Sequence, residues 1–252
     1  MLKLKRNLLA LFFVCALAAP FAYSAQAADG DYLLKDGKAY RMDGGREKLL
    51  EGVDAQRADT DAGAWSWFVV DPGQSPAMKG LKGGICFFRG GDAKPAGFLP
   101  VAEEAASCRL YFSPSGDKLL VSLGYEYIQH LSLYLIDKGK GFVKKASFEV
   151  AGPPFWVDPQ RFAFNAVDAK KGPRAEGRFD SWWSSAALYD SMKNKLIVLR
   201  QATATADYAV TGCDREGGAL EIMESTVKEV KDWADDDKVG DREIRLNVPK
   251  AD

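Results

Sequence analysis

The chain has 252 residues, with 34 Lys and Arg set against 35 Asp and Glu, and a single His. Its formal net charge of −1 leaves no basic excess to neutralise a phosphate backbone, which argues against nucleic acid as a partner.

The first 27 residues read as a secretory signal peptide. Lys3, Lys5 and Arg6 precede the apolar stretch from Leu8 to Ala19, and Ala25-Gln26-Ala27 gives a small-x-small cleavage pattern. An uncleaved anchor is the less favoured alternative, because a spanning helix needs about 20 apolar residues. Cys15 lacks the small-residue context that would precede a lipoprotein cysteine. The expectation is a periplasmic or secreted chain beginning at Ala28, with residues 28–252 as a single domain and no later membrane-spanning run. That portion carries 31 basic and 35 acidic residues, a net charge of −4, and its 225 residues suffice for one all-β domain with a substantial core.

Strand signals are dense and helical periodicity is scarce. Apolar alternation marks 32–35, 38–42, 65–70, 85–89, 110–113, 118–123, 131–136, 142–150, 161–166, 188–190, 195–199, 208–212, 219–223 and 244–248, with Gly, Pro and Asp turns between. In LYFSPSGDKLLVS (110–122), two such strands flank a Ser-Pro-Ser-Gly-Asp turn. A second hairpin turning at Asp137–Gly141 completes a four-stranded meander from Cys108 to Val150. The layout recurs with hairpins turning at Asp158-Pro159-Gln160 and at Ser191–Lys195, and more weakly over 207–222. Four-stranded repeats of about 40–45 residues are the signature of propeller blades.

The segment FSPSGDKLLVS followed by LSLYLID resembles the blade motif of TolB-type and prolyl-oligopeptidase-type β-propellers. Those families join two inner strands through an F-S-P-D-G-K turn; here Ser115 stands where Asp is usual, and WVDPQRFAF keeps only the Asp-Pro. The resemblance covers about 100 of the 225 residues and implies a fold, not an activity. The fold class expected is an all-β propeller of about five four-stranded blades. Its N-terminal hairpin (32–42), too short for a blade, would complete the last blade with strands near 219–248 and so close the ring. The stretch 223–244 departs from this rhythm and is read as strand plus acidic loop in preference to a helix.

Three cysteines follow the signal segment. Cys86 with Cys108 would close a loop of about 22 residues; Cys108 with Cys213, or no bridge at all, is equally compatible with the sequence. Their spacing fits no metal site.

Candidate chemistry is sparse. His130 has no second histidine for a metal pair, and no G-x-S-x-G elbow accompanies it. Asp232, Asp235, Asp236, Asp237 and Asp241 form an acidic cluster. As a calcium loop starting at Asp235 it fails at Val239 and Leu246, so a solvated loop is expected. Glu103 and Glu104 would point to opposite faces of a strand. No P-loop, dinucleotide fingerprint, CxxC or haem attachment motif occurs, and no cofactor is expected.

Trp65 and Trp67 share a strand face and are assigned to packing between blades. The candidate binding surface is the long segment 169–185, carrying Lys170, Lys171, Arg174, Arg178, Trp182 and Trp183. The expected function is non-enzymatic binding of a protein or cell-envelope component through a loop face. A hydrolase acting on glycan or peptide through axial carboxylates is the alternative, and an accessory subunit whose indoles a partner covers is a third reading.

Overall fold

The computed structural model describes residues 32–43, 45–71, 78–79, 81–101, 107–125, 128–137, 141–168, 171, 182–227 and 238–249, and period-two alternation broken by tight turns gives eighteen strands among them. The first unit is an antiparallel sheet of β1 (Tyr32–Lys35), β2 (Lys38–Asp43) and β3 (Arg46–Asp54). The second is β4 (Gln56–Thr60), β5 (Gly63–Val70), β6 (Gly84–Arg89) and β7 (Gly97–Pro100). The third runs β8 (Ser107–Phe112), β9 (Lys118–Tyr125), β10 (Ile128–Asp137) and β11 (Gly141–Val150). The fourth comprises β12 (Phe155–Trp156), β13 (Arg161–Val167), β14 (Ser184–Asp190) and β15 (Lys195–Arg200). One ladder pair, Val150 with Ala166, joins the third and fourth into a single eight-stranded sheet. The last sheet is β16 (Ala206–Asp214), β17 (Ala219–Val227) and β18 (Lys238–Asn247).

Each unit meets the next mainly through apolar side chains, with backbone bonds from Leu34 N–H to Ala93 O at 3.2 Å and from Asp61 N–H to Pro114 O at 2.8 Å across the first two seams. Tyr32, Ala39 and Leu50 of the first sheet pack on Phe68, Val70 and Phe88 of the second. Across β6 the alternation sends Ile85 and Phe87 to the other face, against Phe112, Leu119, Val121 and Phe142 of the third unit. Leu120, Leu131 and Leu133 then meet Phe162, Phe164 and Tyr189, and Ala163, Ala186 and Leu188 meet Val210, Leu220 and Ile222. Every middle unit is therefore greasy on both faces. Burying a Phe such as Phe87 or Phe88, each 0 % exposed, stabilises by about 1.5–3 kcal/mol.

The expected latch between the chain's two ends is replaced by a local pairing. The hairpin β1–β2 continues into β3, and β17 pairs with β16 and β18. No hydrophobic cluster among the described residues joins the first sheet to the last. Closing a hairpin onto the next segment costs less loop entropy than reaching a strand nearly two hundred residues away, and Leu50, 2 % exposed, supplies the buried contact.

The Ser-Pro-Ser-Gly-Asp turn is explained by its own bonds. Ser113 is wholly buried, its Oγ accepts the Lys118 N–H at 3.1 Å, and its backbone N–H donates to Lys118 O at 2.9 Å. Gly116 has φ +67°, and a Cβ there would lie 2.5 Å from Thr60 Oγ1 in the neighbouring unit. The motif is thus a turn that also docks one unit on another.

Candidate functional site

In β13 the run Phe162-Ala163-Phe164-Asn165-Ala166-Val167 places an amide among apolar residues, which only partners on all sides make tolerable. Asn165 is 5 % exposed; its Nδ2 donates to Ala151 O at 2.6 Å, and its Oδ1 accepts the Val210 N–H at 2.5 Å. One side chain thereby ties β13 to the connection after β11 and to β16. On β14, Ser185 is equally buried, and its Oγ accepts the Ala202 N–H at 2.9 Å. The Ser184 N–H donates to Asp207 Oδ1 at 3.0 Å and its hydroxyl to Tyr208 O at 3.1 Å. The start of β14 is therefore fixed rigidly against the last sheet.

Trp182 and Trp183 stand immediately before that fixed start, both half-buried. The Asp168 N–H donates to Trp183 O at 3.1 Å, and the Lys171 N–H to Asp168 O at 3.0 Å. Lys171 Nζ lies 4.5 Å from the centroid of the Trp183 ring and 3.5 Å from Asp168 Oδ2. The two indoles, an ammonium and a carboxylate thus share the end of the fourth unit where β13 leaves and β14 returns. Such a surface offers broad apolar contact and paired charges, suited to adsorption and recognition.

Of the binding residues expected from sequence, Lys171, Trp182 and Trp183 fall in this arrangement. Arg174 and Arg178 lie outside the described residues, as do Lys170, Glu103, Glu104, Asp232, Asp235, Asp236 and Asp237, and residues 1–27, where a signal peptide is expected. Asp168, Asn165 and Ser185 were not singled out from sequence. For Asn165 a signal existed, a lone amide within an apolar strand; Asp168 and Ser185 carried none.

The remaining candidates resolve into structure. Trp65 and Trp67 are 3 % and 6 % exposed and pack on Phe112 with centroid distances of 5.4 and 5.5 Å. His130 is exposed on β10, opposite Glu149 and Leu123. Asp241 is exposed on β18. No cluster of three or more metal-ligating groups occurs among the described residues.

The bridge between Cys86 and Cys108 is not formed, nor is any involving Cys213. Strand alternation is the reason: Cys86 faces the cluster shared with the first sheet, whereas Cys108 packs in the one shared with the third unit. Burial pushes the Cys86 thiol up to about 12 and the Cys108 thiol up to about 11, so both stay protonated at neutral pH. Burial also raises Cys213. For Asp117, burial alone would raise the carboxyl. Hydrogen bonds from Ser115, Lys118 and Ser113, together with the Lys118 charge, hold it below the usual range.

No family model and no curated protein matches the chain. Solved structures similar to it include the tricorn protease, at 12 % identity and TM-score 0.45 over 78 % of this chain and 18 % of that one. The β-propeller domain of the Trilobed protease from Pyrococcus furiosus, described as having an open velcro topology, gives 10 % identity and TM-score 0.46 over 83 % of this chain and 58 % of that one. TolB from Acinetobacter baumannii gives 14 % identity and TM-score 0.40 over 77 % of this chain and 48 % of that one. The chain spans less than two thirds of each, and the neighbours include the TolB type that the motif FSPSGDKLLVS resembles.

Proposed function

We propose that this chain is an exported, non-enzymatic binding protein, a single domain of five consecutive blades that engages a protein or cell-envelope component through the end carrying Trp182 and Trp183. Residues 1–27 act as the export signal, and the mature chain is periplasmic or secreted. Among the described residues no helix is long and apolar enough to cross a membrane.

The observation that carries the reading is the contrast between a rigid base and an amphipathic surface. Asp207, Tyr208 and Asp168 hold the backbone around Trp182 and Trp183, so ordering them on binding costs little entropy. Indoles held this way are the type of side chain that anchors interfaces. The test is a double Trp182→Ala, Trp183→Ala variant, purified from the periplasmic fraction and compared with the parent for partner capture from envelope extract by quantitative mass spectrometry. The reading expects a folded variant with capture of a specific component lost. Unchanged capture overturns it, and turnover of a glycan or peptide library by the purified parent overturns its non-enzymatic part.

A further inference from the structure

Strands at the margin of a sheet present unpaired N–H and C=O groups, and proteins blunt them with charge, proline or brevity. Most margins here follow that rule. β3 exposes Arg46, Glu47, Lys48 and Glu51; β18 exposes Asp241, Arg242, Glu243 and Arg245; β7 has four residues and ends at Pro100.

β15 breaks it. It ends the eight-stranded sheet, with its inner side paired to β14 from Lys195 to Arg200. Its centre is Leu196-Ile197-Val198-Leu199, with no charge among the four. Leu196 and Val198 are each 46 % exposed, and Met192 in the preceding turn is 68 % exposed. Of the four large hydrophobics exposed in the described chain, three fall between 192 and 198. Leu196 and Val198 stand opposite Tyr189 and Ala187, on the face that continues the core between the third and fourth units. Ile197 and Leu199 turn the other way, against the last sheet.

Charge identifies the kind of occupant. Lys193 and Lys195 stand exposed at one end of the strand and Arg200 at the other, and the strand itself carries no acid. A second copy added antiparallel over the whole strand would set Lys195 against Arg200, a like-charge pairing that sheets disfavour. We propose that β15 is a strand-addition site, whose outer edge takes an extended segment of a partner protein with apolar side chains at alternate positions and carboxylates at both ends. Main-chain bonds to the free edge supply affinity, and Leu196 and Val198 with the flanking cations supply selectivity. The site is separate from Trp182 and Trp183 and does not depend on their role.

The test uses the full mature chain and a fluorescein-labelled peptide, Asp-Glu-Val-Thr-Val-Thr-Val-Asp-Glu, with a control in which Lys replaces each acid. Saturable binding of the acidic peptide is expected, with slowed amide hydrogen exchange over 196–199. Leu196→Lys should weaken it by about tenfold or more. Lys195→Glu with Arg200→Glu, which leaves the apolar residues alone, should transfer preference to the Lys-ended control. Absent binding, equal binding of both peptides, or indifference to both variants overturns the proposal. So does concentration-dependent dimerisation of the parent that Leu196→Lys abolishes, since the edge would then belong to a second copy.

Discussion

Asn165 joins the fourth unit to the connection before it and to the last sheet, and its removal takes a partner from the half-buried Ala151 carbonyl and from the buried Val210 N–H. Asn165→Ala should therefore destabilise by about 1–3 kcal/mol, read as a lower urea midpoint. The thiols make a second residue-scale test. Brief alkylation at pH 8 should label Cys213 ahead of Cys86 and Cys108, and unfolding should release all three for modification. Two labels missing after unfolding would restore a disulfide. Asp117 links stability to pH: its folded carboxyl titrates below the unfolded one, so its contribution is complete above the unfolded value and is lost as pH falls through the folded one. Asp117→Asn should lower thermal stability at pH 7, with the gap to the parent narrowing below about pH 4. At this scale the sequence was partly legible. Trp182 and Trp183 stood out as indoles in a polar stretch, with Lys171 among the cations beside them, whereas Asp168 became part of the same surface only through a backbone bond that no spacing reveals.

Strands facing a neighbour on both sides were readable as alternation or apolar runs, and β5, β6, β9, β10, β13 and β14 fall where that pattern put them. The strands missing from that pattern were β3, β4, β7 and the two-residue β12, which only the hairpin turn at Asp158-Pro159-Gln160 implied. Arg46–Asp54 and Gln56–Thr60 are mostly exposed and charged, so period two never emerges, and Gly97–Pro100 is too short to display one. Missing β3 is what made the N-terminal hairpin look incomplete and sent it toward the far end of the chain. Gly84 shows how tightly an inner strand is fitted. A Cβ there would lie 2.5 Å from Phe98 Cζ and 2.6 Å from Leu99 O, so a methyl meets both a ring and a backbone carbonyl. Gly84→Ala should cost about 1–3 kcal/mol, lowering the melting temperature by about 2–4 °C for each kcal/mol.

At the scale of the whole molecule, the described residues form five units sharing four interfaces, so among them a middle unit is supported on two faces and an end unit on one. Stability in such an array behaves as a sum of nearest-neighbour contributions. Amides of β2 should exchange faster than those of β9 and β10 under native conditions, with β17 also below the centre. Uniform protection from end to end would show instead that the first and last sheets support each other. The rhythm of repeats was legible because each unit is built the same way. Whether the ends meet was not, because that depends on small angles accumulated between sheets rather than on any residue.

The lone ladder pair between Val150 and Ala166 bears on mechanics as well as on assignment. Backbone ladders lock an angle, whereas oily rings and aliphatic chains slide over one another with little directional preference. Isolated bonds such as Leu34 N–H to Ala93 O and Asp61 N–H to Pro114 O cross the other seams, fewer than a ladder within a sheet supplies, so the separation of the outermost sheets is expected to vary more than any spacing inside one sheet. A ligand gripping both ends would set that span, and X-ray scattering in solution would register the change as an altered radius of gyration with every strand intact.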